Sequence, residues 1–139
     1  MAEDDEADRR LIDTAISRSE LTNPVHFVNG GRELLDYLNH KPPYADRQQS
    51  PDPGLILLDL KMPDMDGRDV LKALRGSPEF RHIPVVILTI SCSQSDVQDS
   101  YMLGVNSFIV KPFSLAGLIN TLNRLGRYWF KVVSLPPQR

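Results

Sequence analysis

The sequence predicts an α/β fold, a doubly wound parallel sheet with helices on both faces, and three observations carry that expectation. Residues 55–58 (Leu-Ile-Leu-Leu) and 85–88 (Val-Val-Ile-Leu) are apolar without polar alternation, as strands buried on both faces are. Segments with apolar residues at helical spacing separate the strand-like runs, and this alternation calls for right-handed crossovers. Each of the three strand-like runs from residue 55 onward stops on a polar residue: Asp59, Thr89 and Lys111.

In chain order, Leu11, Ile12, Ala15 and Ile16 predict a first helix over residues 6–20, which Asn23-Pro24 stops. Val25, Phe27 and Val28 read as a short strand, and Asn29-Gly30-Gly31 as a turn. Leu34, Leu35, Tyr37 and Leu38 form the apolar face of a second helix ending near Asn39. Residues 40–53 carry four prolines and read as a loop. Pro63, Asp64, Asp66 and Gly67 make a tight turn after the 55–58 strand, followed by a helix over 68–75 with Val70, Leu71 and Leu74 inward. After the 85–88 strand come a helix over about 94–103 closed by Gly104, a strand over 107–110, and a last helix from Leu115 to about Phe130.

Composition narrows the function classes. The 139 residues suit one domain, and a net charge of −2 gives no general electrostatic attraction to nucleic acid or an anionic membrane. No apolar run approaches the roughly 18 residues needed to cross a bilayer, and the N-terminus is acidic rather than basic-then-apolar, so a cytoplasmic protein is expected. Cys92 is the single cysteine, which excludes an internal disulfide and a cysteine zinc cluster.

Taken singly, Asp59 reads as a turn or capping aspartate, Lys111 as a solvated charge, Thr89 as a local turn partner and the Glu3, Asp4, Asp5, Glu6, Asp8 cluster as acids at a helix N-terminus. Parallel strands share a direction, however, so Asp59, Thr89 and Lys111 emerge at one sheet edge, where open α/β sheets bind ligands. Together these residue types suit phosphoryl transfer onto a carboxylate. Asp59 can be the nucleophile, the N-terminal acids can hold a hard cation such as Mg²⁺, Lys111 can face phosphoryl charge, and the Thr89 hydroxyl can bond a phosphoryl oxygen.

The chain resembles the receiver domains of bacterial two-component response regulators from Glu3 to about Leu125. The resemblance rests on Glu3-Asp4-Asp5, Asp59 with Met62-Pro63-Asp64-Met65-Asp66-Gly67, Thr89, and Gly104 leading through Phe108 to Lys111-Pro112. It implies a flavodoxin-like fold with strand order 2-1-3-4-5. It also implies Asp59 as phosphoacceptor, Glu3 and Asp4 as the acidic pair for Mg²⁺, with Asp59 and the Lys61 backbone carbonyl completing the metal ligands. Thr89 and Phe108 correspond to switch residues and Lys111 to the conserved-type lysine, although composition alone makes Phe108 a core aromatic. Lys61 and Ser91, each two residues beyond a site residue, correspond to positions that tune phosphate lifetime.

Two features depart from that pattern. Only Met1-Ala2 precedes Glu3 where a hydrophobic central strand is expected, so the first strand appears as a truncated one, and the expectation is a chain cut short or numbered from an internal methionine. Receiver residues 1–127 are then followed by an extension, 128–139, with a Pro-rich tail. Tyr128, Trp129, Phe130 and Val133 there either pack back on the domain or form an interface. The Trp-Phe and Leu-Pro-Pro ending, with Leu35-Asp36-Tyr37-Leu38, is similar to single-domain regulators that partner phytochrome-type histidine kinases, which implies a homodimer using the last helix. No output domain or basic recognition helix follows, so a protein acting through protein contacts is expected, with no chemistry beyond its own phosphorylation and dephosphorylation. The competing readings are a phosphorylation-independent pseudo-receiver and an aspartyl-phosphate phosphatase of the haloacid-dehalogenase type. The latter places Asp two residues after its nucleophile, where this chain has Lys61.

Overall fold

The computed structural model describes residues 1–137. A parallel sheet runs through the middle in the order β1 (Ile56–Leu58), β2 (Val85–Thr89), β3 (Ser107–Val110). Leu57 lies opposite Val86, and Thr89 opposite Val110. Five helices flank it: α1 (Glu6–Arg18), α2 (Gly31–Leu38), α3 (Gly67–Gly76), α4 (Gln94–Met102) and α5 (Leu115–Arg127). A π-helical segment, Tyr128–Val132, follows α5. The tail's last two residues lie outside the described ones.

Side chains of successive strand residues point to opposite faces, and the core divides accordingly. Ile56, Leu58, Val85 and Ile87 pack with α2 and α3 through Leu34, Leu38, Val70, Leu71 and Leu74. Leu57 and Val86 face the other way, onto Leu125 of α5 and onto Trp129. On that side α1 and α5 meet through Ile12, Ala15, Leu118 and Leu122. Each of the buried Leu, Ile and Val side chains contributes about 1.5–3 kcal/mol relative to exposure, which is why the strands need no polar alternation.

The two strands expected at the start of the chain are reduced to single bridges. Ala2 pairs in parallel with Val28 on one side and Leu58 on the other. Ala2 N–H donates to Leu57 O (2.9 Å) and Asp59 N–H to Ala2 O (3.1 Å), while Glu3 N–H donates to Val28 O and Val28 N–H to Met1 O. The order 2-1-3-4-5 is thus kept, with one residue standing where the central strand belongs. Residues 25–27 take no regular secondary structure, and Val28 makes the single bridge to Ala2. Helix ends shift by two or three residues: α1 stops at Arg18, and α5 stops at Arg127, where the backbone passes into the π-helical segment. Trp129 packs back on the domain, Phe130 and Val133 are half-buried, and Tyr128 is exposed. Among the described residues no helix is long and apolar enough to cross a membrane.

Candidate functional site

Asp59 follows β1 directly and is 7% exposed, so its carboxylate is set into the sheet edge rather than displayed on a turn. The loop after it is held by Gly67 N–H donating to Leu60 O (2.8 Å) and by Asp66, whose Oδ1 caps α3 by accepting from Arg68 N–H. A Cβ on Gly67 would stand 2.5 Å from Asp59 O, so only glycine lets α3 start this close to the acceptor's backbone. Thr89, at the end of β2, is fully buried; its carbonyl accepts from Lys111 N–H (2.7 Å), tying the ends of β2 and β3 together.

From the other side, α1 is capped by the Asp5 side chain, which accepts from Asp8 N–H. This cap and the Ala2 bridge hold Glu3 and Asp4 opposite Asp59. Oxygen atoms of Glu3, Asp4 and Asp59 lie within 4.8 Å of one another. Lys111 Nζ enters this acidic group, 2.6 Å from Glu3 Oε1, 3.4 Å from Asp59 Oδ2 and 3.5 Å from Asp8 Oδ2. Asp8 was not anticipated as a site residue; it lies in the first turn of α1, which brings its carboxylate to Lys111 beside Glu3.

Burial pushes the Glu3 carboxyl up to about 7, and the neighbouring Asp59 carboxylate adds to the rise while Lys111 opposes it. Burial pulls the Lys111 ammonium down, but the hydrogen bond to Glu3 and the charges of Asp59, Glu3 and Asp8 leave it above its ordinary value. Glu3 Oε2 and Asp59 Oδ1 are buried with no hydrogen-bond partner. Unpartnered buried carboxylate oxygens are costly, and a hard divalent cation with oxygen ligands satisfies them, so these residues fit Mg²⁺.

Phe108 sits half-buried in β3 against the α2–α3 side of the core. Lys61 and Ser91 converge on a residue the sequence did not single out. Asp96, in the first turn of α4, accepts from the Ser91 hydroxyl through Oδ2, and Lys61 Nζ lies 3.4 Å from the same oxygen. Tyr128, Trp129, Phe130 and Val133 lie away from this edge, on the segment after α5.

The sequence profile of the response regulator receiver domain matches residues 1–123. Response regulator Rcp1 of Synechocystis sp. is 35% identical over 136 residues, covering 98% of this chain and 90% of Rcp1. The structure of the phosphorylated cyanobacterial phytochrome response regulator RcpA superposes with a TM-score of 0.87 at 37% identity, covering 98% of this chain and 95% of RcpA. Response regulator RPA3017 in red light signaling of R. palustris gives a TM-score of 0.93 at 34% identity, covering 99% and 96% of the two chains. The Mn²⁺-bound form of Rcp1 gives 0.84 at 34%, covering 98% of this chain and 96% of that one. With the acidic group, Thr89 and Lys111 at one edge of a flavodoxin-like sheet, the chain belongs to the response regulator receiver domain family.

Proposed function

We propose that this chain is a single-domain response regulator that accepts a phosphoryl group on Asp59 from the phosphohistidine of a sensor kinase. The observation that carries the reading is the buried Glu3–Lys111–Asp59 group, in which one oxygen of each carboxylate is left without a partner. An Asp59 carboxylate oxygen attacks phosphorus, the P–N bond of the phosphohistidine breaks, and its electron pair returns to the imidazole. Lys111 places a compact positive charge beside the oxygens of the arriving group, and the Thr89 hydroxyl is at hand to donate to one of them. Glu3, Asp4, Asp59 and the Lys61 carbonyl would hold Mg²⁺, which when bound neutralises charge on the phosphoryl oxygens. The Mn²⁺-bound Rcp1 and phosphorylated RcpA structures support both parts of this reading.

The kinase is of phytochrome type by likeness to RcpA, and the output is a change in protein contacts in the cytoplasm. The chain carries no chemistry beyond its own phosphorylation and dephosphorylation. A homodimer through α5 and its extension is part of the proposal. Tyr128 and Val132 are exposed there, at 51% and 72%. Gel filtration at micromolar concentration is expected to show a dimer, and a monomer unchanged by deletion after Arg127 removes that part.

Incubation with acetyl phosphate and Mg²⁺ tests the central reading: intact mass should rise by one phosphoryl group, and Asp59→Asn should abolish the rise. No gain in the wild-type chain favours a phosphorylation-independent adaptor. The phosphatase reading is disfavoured by Lys61, whose ammonium pairs with Asp96 instead of offering an acid near Asp59.

A further inference from the structure

Asp96 is 7% exposed, an uncommon state for a carboxylate in the first turn of a surface helix. Ser93 anchors it from behind: the Ser93 hydroxyl oxygen, capping α4, accepts from Asp96 N–H at 3.1 Å. Its two oxygens gather groups from three other places. Oδ1 lies 3.3 Å from the Arg68 guanidinium at the start of α3. Oδ2 accepts from the Ser91 hydroxyl and pairs with Lys61 Nζ. Ser91 N–H in turn approaches Thr89 Oγ1 at 3.4 Å, so one carboxylate is linked to both loops that border Asp59. These bonds hold the Asp96 carboxyl below the usual carboxylate range, the Ser91 hydroxyl contributing most and Lys61 less. The Lys61 side chain is 52% exposed, so Asp96 is what restrains it.

We propose that Asp96 is a positioning residue that shortens the life of the acyl phosphate by holding the Lys61 ammonium away from it. The inference rests on phosphorylation of Asp59 as proposed above. Hydrolysis of that acyl phosphate requires a water oxygen to bond phosphorus as the P–O bond to Asp59 breaks. The bonding pair returns to the carboxylate, orthophosphate leaves, and the water's proton passes to solvent. A cation two residues from Asp59 is drawn to the phosphoryl dianion, and once there it covers oxygens and obstructs water. Asp96 competes for that cation. Its charge, fixed on α4, keeps Lys61 turned from the phosphoryl group and leaves the approach of water open.

The test compares phosphoryl half-lives after rapid removal of acetyl phosphate, read by intact mass, with the melting temperature of each variant as a fold control. Asp96→Asn is expected to accept phosphate as the wild type does and to lose it at least about threefold more slowly, the size of a modest exposed ion pair. That lengthening should vanish in the Asp96→Asn, Lys61→Met double variant, whose half-life should match Lys61→Met alone; a merely structural role for Asp96 predicts the same change in both backgrounds. Asp96→Glu should restore the short half-life. If Asp96→Asn melts below the assay temperature, Asp96→Ser, which removes the charge and shortens the side chain, repeats the measurement. An unchanged or shortened half-life, or a lengthening that persists without the Lys61 side chain, overturns the proposal. Failure of the wild-type chain to gain phosphate overturns the receiver reading itself, a separate outcome.

Discussion

Lys111 Nζ stands 2.6 Å from Glu3 Oε1, joining the end of β3 to the beginning of the chain inside the sheet edge. The pair is buried on both sides, so each partner depends on the other for its charge. Lys111→Met leaves Glu3 and Asp59 buried without their cation. Removing one partner of a buried pair costs about 3 kcal/mol or more, reduced here because Glu3 takes up a proton easily, so a loss of about 2 kcal/mol is expected in urea unfolding without metal.

Divalent cation should act in the opposite sense. Mg²⁺ or Mn²⁺ at ten times its dissociation constant is expected to stabilise the fold by about 1.4 kcal/mol, and EDTA to reverse it. Asp59→Asn should shrink that gain, since it removes one of the oxygens left unpartnered for the ion. A thermal melt with and without Mg²⁺, on both proteins, checks the expectation.

Gly67→Ala brings a methyl group to 2.5 Å from Asp59 O and 2.9 Å from Leu60 Cα, both backbone atoms. The acceptor must shift. Circular dichroism should remain that of the folded domain while phosphorylation by acetyl phosphate slows at least about tenfold, because small displacements of a reacting group are costly.

Arg75 shows what holds the far side of α3. Its guanidinium donates to Gly104 O, Arg81 O, Ile83 O and Asn106 Oδ1, at 2.9–3.1 Å. Arg75→Ala strips donors from this whole set and should lower stability by about 2–3 kcal/mol, read from urea midpoints. Arg75→Lys should recover little, because one ammonium cannot span the fork.

Tyr44 gives a pH dependence far from the site. Burial, and the hydrogen bond its hydroxyl donates to Glu33, push it up to about 12 from 10.0. A group whose folded value is raised contributes stability that is complete below its unfolded value and is lost as pH climbs toward the folded one. Stability should therefore fall between about pH 10 and 12. Tyr44→Phe should flatten that fall, and the tyrosinate absorbance of this residue should appear late in an alkaline titration.

The parts of the site that sequence reading found are those delivered by the ends of well-formed strands. Asp59, Thr89 and Lys111 each close an apolar run, and strand direction alone brings them together. Strand formation at Val25, Phe27 and Val28 was not foretold correctly, because β structure depends on partners and, among the described residues, the pairing there is the single Ala2–Val28 bridge. Trp129 was open between packing and interface; its inward course depends on the π-helical turn, which leaves no local sequence pattern. Asp96 escaped notice for a related reason. In sequence it is one more polar residue in a polar helix start, and its importance lies in Lys61, Arg68 and Ser91 reaching it from other elements.

The single-residue bridge at Ala2 also predicts where the native state opens first. Two bonds on the Val28 side and two on the β1 side hold the residues that carry Glu3 and Asp4. In native-state hydrogen exchange the amides of Glu3, Val28 and Asp59 should form one early-exchanging group, well ahead of Val86 and Leu88 in the sheet centre. Fluctuation along that seam would disarm the acidic group while β2, β3 and α5 stay folded, so the occupancy of the cation site and the closure of the seam rise and fall together.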